Sequence, residues 1–427
     1  MRKLIRDIVI MGKNLSFAEQ MQRWFDIAYW KMGEASGNLV DSSGHGFTAV
    51  AAGTGTTYQA ETLPNGDKIL TLDGNGYFNP FSAGLATIFN FNAGSFAAII
   101  KIDSEEKWLA ATAHQLINLR GVASKIIRIE KNISAGIQGY RNNNGNFQGA
   151  GRTDLLMLGM TWDITTGLLK RYIDGRRVLW NVSGQVDLTD TLSTTYTRIG
   201  TTSNTADDKW IGSMGHMGIS SAVLNDSQWK TLYDKMFPSS HNIFIIGDSK
   251  ATGTCWGGFL CNRLRAETGG TWMERPHRWG FGGYDISAMK VYVLANIGAE
   301  TDVPEKIIIN MGTNDARAVT ITSQAIFEAD YIAIIDALRA KWAGVPIYIA
   351  KIWRGDSETT IANSATINTY IDNIIAHYPS GVSLGLNEAV TLENGDAGVT
   401  YYKVDLVHPN AESQVLQANT WLAAMGY

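Results

Sequence analysis

The sequence predicts a multidomain chain, an all-β sandwich followed by a three-layer α/β/α unit on a parallel sheet. Three observations predict it. At 427 residues the chain is too long for one ordinary domain. From about residue 37 to 237 it reads as short alternating strands with Gly, Asn and Asp at the turns. After Pro238, apolar strand-like runs alternate with helical stretches, the pattern of a parallel sheet covered on both faces.

The composition narrows the function. Hydrophobic residues make up 45% and charged residues 18%, enough apolar matter for sizeable cores. A net charge of -4, from 36 basic and 40 acidic residues, gives no basic face, so nucleic acid is not the expected partner. Two cysteines, Cys255 and Cys261, exclude a disulfide scaffold and a cysteine zinc cluster. Six apart in a helical stretch, they are expected to be buried free thiols. No run is apolar for the ~18–20 residues of a membrane span. The first eleven residues begin like a signal peptide, but Arg6 and Asp7 interrupt the apolar run and no small-residue cleavage site follows. A standard signal is therefore not expected, and export by another route, contact with a cell-surface glycan, and a place in a virion stay open.

Residues 1–36 are expected to form a helical segment. Ser16 with Glu19 is a capping-box pattern, and Phe17, Met21, Trp24 and Ala28 recur at helical spacing. That stripe is expected to dock on the next domain or on a neighbouring subunit, which admits a homo-oligomer. In residues 37–237, runs 126–130, 168–173 and 176–180 read as strands, the last two joined by the hairpin signal Asp174-Gly175. Many such strands mean a sandwich or jelly roll. Asp187, Asp190, Asp207 and Asp208 are read as solvated turn residues rather than calcium ligands. Tyr140, Trp162 and Trp210 are read as packing rather than sugar platforms. Pro238-Ser239-Ser240-His241 reads as a linker. Beyond it, strands are expected at 243–246, 306–311 and 346–352, and helices to about 267, at 323–341, 360–377 and 410–424.

The chemistry-bearing pieces lie in this last part. Gly247-Asp248-Ser249 closes the first strand, where a helix N-terminus would offer backbone N–H groups beside an attacking oxygen. A second Gly-Asp-Ser, ending at Ser357, shows how weak that signal is alone. A serine needs a base, and the base an orienter. Asp405-Leu406-Val407-His408-Pro409 supplies both just before the last helix. His45, His114, His216, His241, His277 and His377 have no comparable setting and are read as structural. Gly312-Thr313-Asn314-Asp315 brings an Asn to the sheet edge, and Gly280-Phe281-Gly282-Gly283-Tyr284 is a turn able to bring an N–H close to a ligand.

In this order the four blocks resemble the SGNH (GDSL-like) hydrolase superfamily over about 240–427. The resemblance implies an α/β/α flavodoxin-like fold and a metal-free, cofactor-free serine esterase. It implies Ser249 as nucleophile, His408 as base and Asp405 as its orienter. It further implies an oxyanion hole from the N–H groups of Ser249 and Gly283 and the side chain of Asn314. Ser357 follows the Asn block, the wrong order for a nucleophile. Lys250 and Trp279 depart from the usual pattern and are expected to alter pocket polarity. The region 37–237 is similar to concanavalin/laminin-G-like jelly rolls, on Asp41-Ser42-Ser43-Gly44-His45-Gly46, on the run 70–78 and on the run 215–224. That likeness implies glycan contact. Together they suggest a carbohydrate acetylesterase acting on acylated carbohydrate or another small ester. A phage tail-fibre glycan-binding protein with an accessory hydrolase, or a lipase or lysophospholipase, are the alternatives. Because every catalytic block follows residue 240, a fragment from about Ser239 is expected to carry the chemistry.

Overall fold

The computed structural model describes residues 15–427 apart from 111, 124, 132–135, 142–143, 150, 178–189, 202–207, 239, 252–255, 275–278, 318–320, 353–362 and 388–410. Two antiparallel sheets make up the first half. The first orders its strands Arg176–Arg177, Leu168–Ile173, Leu156–Asp163, Ala93–Lys101, Ile211–Ser220, Lys68–Asp73 and Thr56–Thr62. The second orders Asn144–Gly149, Gly136–Arg141, Ile126–Lys131, His114–Arg120, Arg198–Ile199, Tyr77–Asn79 and Val50–Ala52. Alternation sends one face of each sheet inward, and Ile100, Leu158 and Met160 of the first share a core with Phe78, Ile117 and Ile129 of the second. The Asp174-Gly175 hairpin forms as read: both residues have positive φ, 51° and 74°, and Ile173 pairs with Arg176.

The N-terminal expectation needs a correction. The capping box is present, with the Ser16 hydroxyl accepting from Glu19 N–H and Glu19 accepting from Ser16 N–H, but the helix covers only Phe17–Trp24. Ala28, expected on its stripe, sits in a strand, Ala28–Trp30, that pairs with 217–219 of the first sheet. Helical spacing over four apolar residues did not reveal the break at Phe25 and Asp26. Phe17 and Met21, with Trp229 and Tyr233 of the helix Asp226–Met236, cover the outer face of the first sheet at Ile69, Ile99, Met157 and Tyr172. The stripe therefore docks on the adjoining β unit.

Elements of the second half are labelled here within that half. Strands β1 (His241–Gly247), β2 (Trp272–Glu274), β3 (Trp279–Gly280), β4 (Lys306–Asn310), β5 (Ile347–Lys351) and β6 (Val382–Asn387) form one sheet. Every pairing in it is parallel, in the order β2–β1–β4–β5–β6, with β3 beside the end of β1. Helices are α1 (Trp256–Thr268), α2 (Ile286–Asn296), α3 (Thr313–Arg317), α4 (Gln324–Lys341), α5 (Ser364–His377) and α6 (Ala411–Ala424). Ile243, Ile245, Ile308 and Ala350 point to α1 and α6. Their neighbours Phe244, Ile246, Ile307, Ile309 and Ile349 point to α2, α4 and α5. This is the three-layer arrangement the alternating pattern predicted.

The α1 face does not end at its helices. One continuous apolar cluster runs from the core between the antiparallel sheets to Trp256, Phe259, Leu260 and Leu264 of α1. Polar contacts reinforce it. Asn262 on α1 accepts from Thr153 N–H at 2.9 Å and donates to Gly151 O and Glu105, each at 3.0 Å. Arg263 pairs with Glu105 at 2.5 Å, and Arg265 with Asp154 at 3.3 Å. The stretch read as a linker runs straight into β1, whose first residue is His241. Trp279 also departs from expectation: it is buried edge-to-face against Phe244 and Tyr292, so it is core rather than pocket wall.

No helix among the described residues is long and apolar enough to cross a membrane.

Candidate active site

The chain crosses the sheet between two neighbours of β1. From β1 it passes to β2 and β3 on one side, then to β4 on the other. Ligands of open parallel sheets bind at such a switch point, outside the carboxyl ends of the strands. Three of the four sequence blocks meet there. Gly247, the last residue of β1, pairs with Gly280 on one flank and Asn310 on the other. A Cβ on Gly247 would come within 2.3 Å of Ala251 Cβ and 2.8 Å of Asn310 O, so glycine is required for the turn. Ser249 follows two residues later and is half-buried.

The turns around Ser249 are braced by their own side chains. Asp248 is fully buried. Its carboxylate accepts from Lys250 N–H at 3.0 Å and from Thr313 N–H at 3.3 Å, tying the serine turn to the start of α3. Lys250 is buried too, and its carbonyl accepts from the Trp256 indole N–H at 3.1 Å. On the other flank, Phe281 N–H donates to Gly247 O at 3.0 Å, docking the glycine turn on β1. Gly283 has φ +82°, with no atom of the described residues within 4 Å of a Cβ placed there. Positive φ alone makes it a glycine position, and the residue is exposed.

Asn314, half-buried on α3, donates from its side-chain amide to Tyr284 O at 2.8 Å. One amide N–H of the two is spent on that contact, leaving a second donor on the same nitrogen. Asp315 is 1% exposed and accepts from Ile286 N–H, at the start of α2, and from the Thr322 hydroxyl at 2.9 Å. Burial, the largest cause, pushes its carboxyl up to about 6; the neighbouring Asp285 adds to the rise while its hydrogen bonds oppose it. Beneath both carboxylates lies Tyr331 of α4. Burial, then the charges of Asp248 and Asp315, hold its phenol well above the usual range.

Of the residues singled out from sequence, the structure brings Ser249, Gly283 and Asn314 to this edge. Asp405, His408 and Ser357 lie outside the described residues, as do Asp187, Asp207, Cys255 and His277. Sequence reasoning passed over Asp248 and Asp315 as site builders; their presence inside the first and third blocks was the available signal. The remaining described histidines sit elsewhere. His241 is at the opposite end of β1, bonded to Glu305 at 2.6 Å, and His216 is buried against Tyr29 and Asp67. His114 bonds Lys209 O, and His45 stacks on Phe47. His377 closes α5 against the ring of Tyr378.

Asp190 braces a loop by accepting from Ala123, Lys125 and Thr191 N–H. Trp162 and Trp210 are buried, and Cys261 is a buried free thiol. Among the described residues no group of three or more His, Cys, Asp or Glu side chains is placed to hold a metal ion.

The model of the GDSL-like Lipase/Acylhydrolase family matches residues 245–415, so the chain contains a GDSL-like domain over that range. No curated protein matches the chain. Among solved structures, an acetyl esterase mutant with an acetate ion is 17% identical, with 43% of this chain and 96% of that one covered and a TM-score of 0.35. A carbohydrate esterase family 3 protein from Talaromyces cellulolyticus is 18% identical over 43% and 96%, with a TM-score of 0.34. The botulinum neurotoxin serotype D binding domain is 15% identical over 50% and 52%, with a TM-score of 0.37.

Proposed function

We propose that the protein is a serine esterase that removes short acyl groups, most simply O-acetyl groups on a carbohydrate. The observation that carries this reading is the meeting of Ser249, the Gly283 turn and Asn314 at one switch point inside a GDSL-like domain. In this reading the Ser249 hydroxyl attacks the ester carbonyl while His408 takes its proton. Asp405 orients the imidazole and stabilises it once charged. The carbonyl oxygen, now negative, is held by the N–H groups of Ser249 and Gly283 and by the second amide N–H of Asn314. His408 then protonates the leaving alcohol, and a water repeats the sequence to release the acid. No metal enters this scheme.

The antiparallel unit is assigned, in the same proposal, as a concanavalin/laminin-G-like jelly roll that holds glycan near the site. Tethering of that kind raises effective concentration without a new contact at the ester.

The test is hydrolysis of a short-chain chromogenic ester and acetate release from an acetylated polysaccharide. Ser249→Ala should lower turnover by roughly 10⁴-fold or more, and Ser357→Ala should leave it intact. The reverse result would remove the site assignment. Preference for a long-chain lipid ester over the acetylated sugar would replace the carbohydrate assignment with a lipase.

A further inference from the structure

We propose that Asp315 is a positioning residue of the esterase: its ionised carboxylate clamps the glycine turn to α3, and so sets the spacing between the two oxyanion donors. The proposal rests on the esterase reading above and adds a residue that reading does not need. Two bonds link α3 to the segment that follows Gly283. Asn314 donates to Tyr284 O at 2.8 Å, and Asp315 accepts from Ile286 N–H at 3.1 Å. The two bonds run in opposite directions between neighbouring residues, so together they fix both translation and tilt of the turn. Gly283 itself is exposed and touches nothing through a side chain. Its placement therefore depends on its neighbours.

An ionised carboxylate only accepts, and both oxygens are used here, one by Ile286 N–H and one by the Thr322 hydroxyl. Once the carboxyl is protonated, the Thr322 hydroxyl must turn to accept from the new O–H, and Ile286 N–H is left facing a neutral, weaker acceptor. The clamp then loosens. Among the described residues, the titratable groups facing Asp315 are Asp285, at the cap of α2, and Tyr331, on α4. Arg317, on α3 itself, is exposed. Burial, with no cation facing it among the described residues, keeps this carboxyl titrating near 6, inside the working range of an esterase. The site thus holds a charge where the fold would be better served by a neutral side chain, as functional residues often do.

The experiment uses the full chain and follows kcat and KM on a short-chain ester across about two pH units either side of the imidazole value. In the parent, activity needs both a neutral His408 and an ionised Asp315, so log kcat should fall with a slope approaching two protons on the acid side. Asp315→Asn should lower kcat about tenfold with KM within about twofold, and reduce the acid limb to one proton. Thr322→Val keeps the carboxylate but removes one donor, so it should move the acid limb to higher pH; it stands in if Asp315→Asn does not fold. An unchanged kcat and limb in either folded variant overturns the proposal while leaving the esterase reading in place. Absence of Ser249-dependent turnover in the parent overturns both.

Discussion

On one face of the parallel sheet, α2, α4 and α5 close over a core of their own, and Val291 and Leu294 of α2 point to solvent, 66% and 51% exposed. On the other face, the apolar side chains of α1 belong to one cluster with the core of the antiparallel unit, and Asn262, Arg263 and Arg265 carry the contact outward through polar bonds. Both faces look alike in composition, yet one is a boundary and the other an interior. The helix that belongs to the interior, α1, is the one that follows Ser249. The parallel-sheet half thus carries the GDSL-like domain without being a unit in its packing.

Four outcomes would sharpen or break that contrast. The largest concerns the fragment from about Ser239, which the order of the sequence blocks suggested would work alone. Removing the antiparallel unit exposes the α1 face, and such a patch on a monomer favours aggregation. The fragment should lack a cooperative unfolding transition and elute as aggregate. A monomeric, cooperatively unfolding, active fragment would show the shared core to be dispensable.

Next is Arg152→Ala. Arg152 is buried between Asp154 and Asp174 at 2.7 and 2.5 Å, beside α1; its loss takes the cation from the buried Asp174, while the half-buried Asp154 keeps Arg265. Breaking a buried pair from one side costs about 3–5 kcal/mol, to be read from denaturant midpoints. Asn262→Ala, which removes three bonds to the antiparallel unit, should cost about 1–3 kcal/mol by the same measurement. On the free face, Val291→Ser and Leu294→Ser should stay within about 0.5 kcal/mol of the parent. Equal costs on the two faces would erase the distinction.

A pH scan of stability adds a finer test. The Asp315 carboxyl is raised from 3.8 to about 6 in the folded state. Between those values the folded protein binds more protons than the unfolded chain, so this group's contribution is present below about pH 3.8 and lost as pH rises through 6. The parent should lose that increment over this window, and Asp315→Asn should not.

Much of this fold was legible in the residues. Asp174-Gly175 announced its hairpin because few residue pairs tolerate two positive φ angles, and β1, β4 and β5 declared themselves as short apolar runs between helices, whereas β2, β3 and β6 did not. The Ser16 capping box was equally local. What escaped was long-range. The strand Ala28–Trp30 is three residues long, and its partner lies nearly two hundred residues away, so no period could reveal it. Trp279 was read as a pocket residue from its place beside the glycine block, but strand alternation turns it to the core. Asp248 and Asp315 stood inside the first and third blocks, but the backbone N–H groups they bond have no residue type to mark them. The same holds for the surface of α1: pattern shows that a face is apolar, not what covers it.

The central claim is that Ser249, at the end of β1, is an activated nucleophile. Its most direct measurement treats the full chain with a fluorophosphonate ester and maps the adduct by peptide mass spectrometry. Attack by the serine oxygen displaces fluoride and leaves one phosphonyl group on one peptide. This group should sit on Ser249, and labelling should be lost in His408→Ala. Modification at Ser357, or no stoichiometric adduct on a folded and otherwise intact protein, would contradict it.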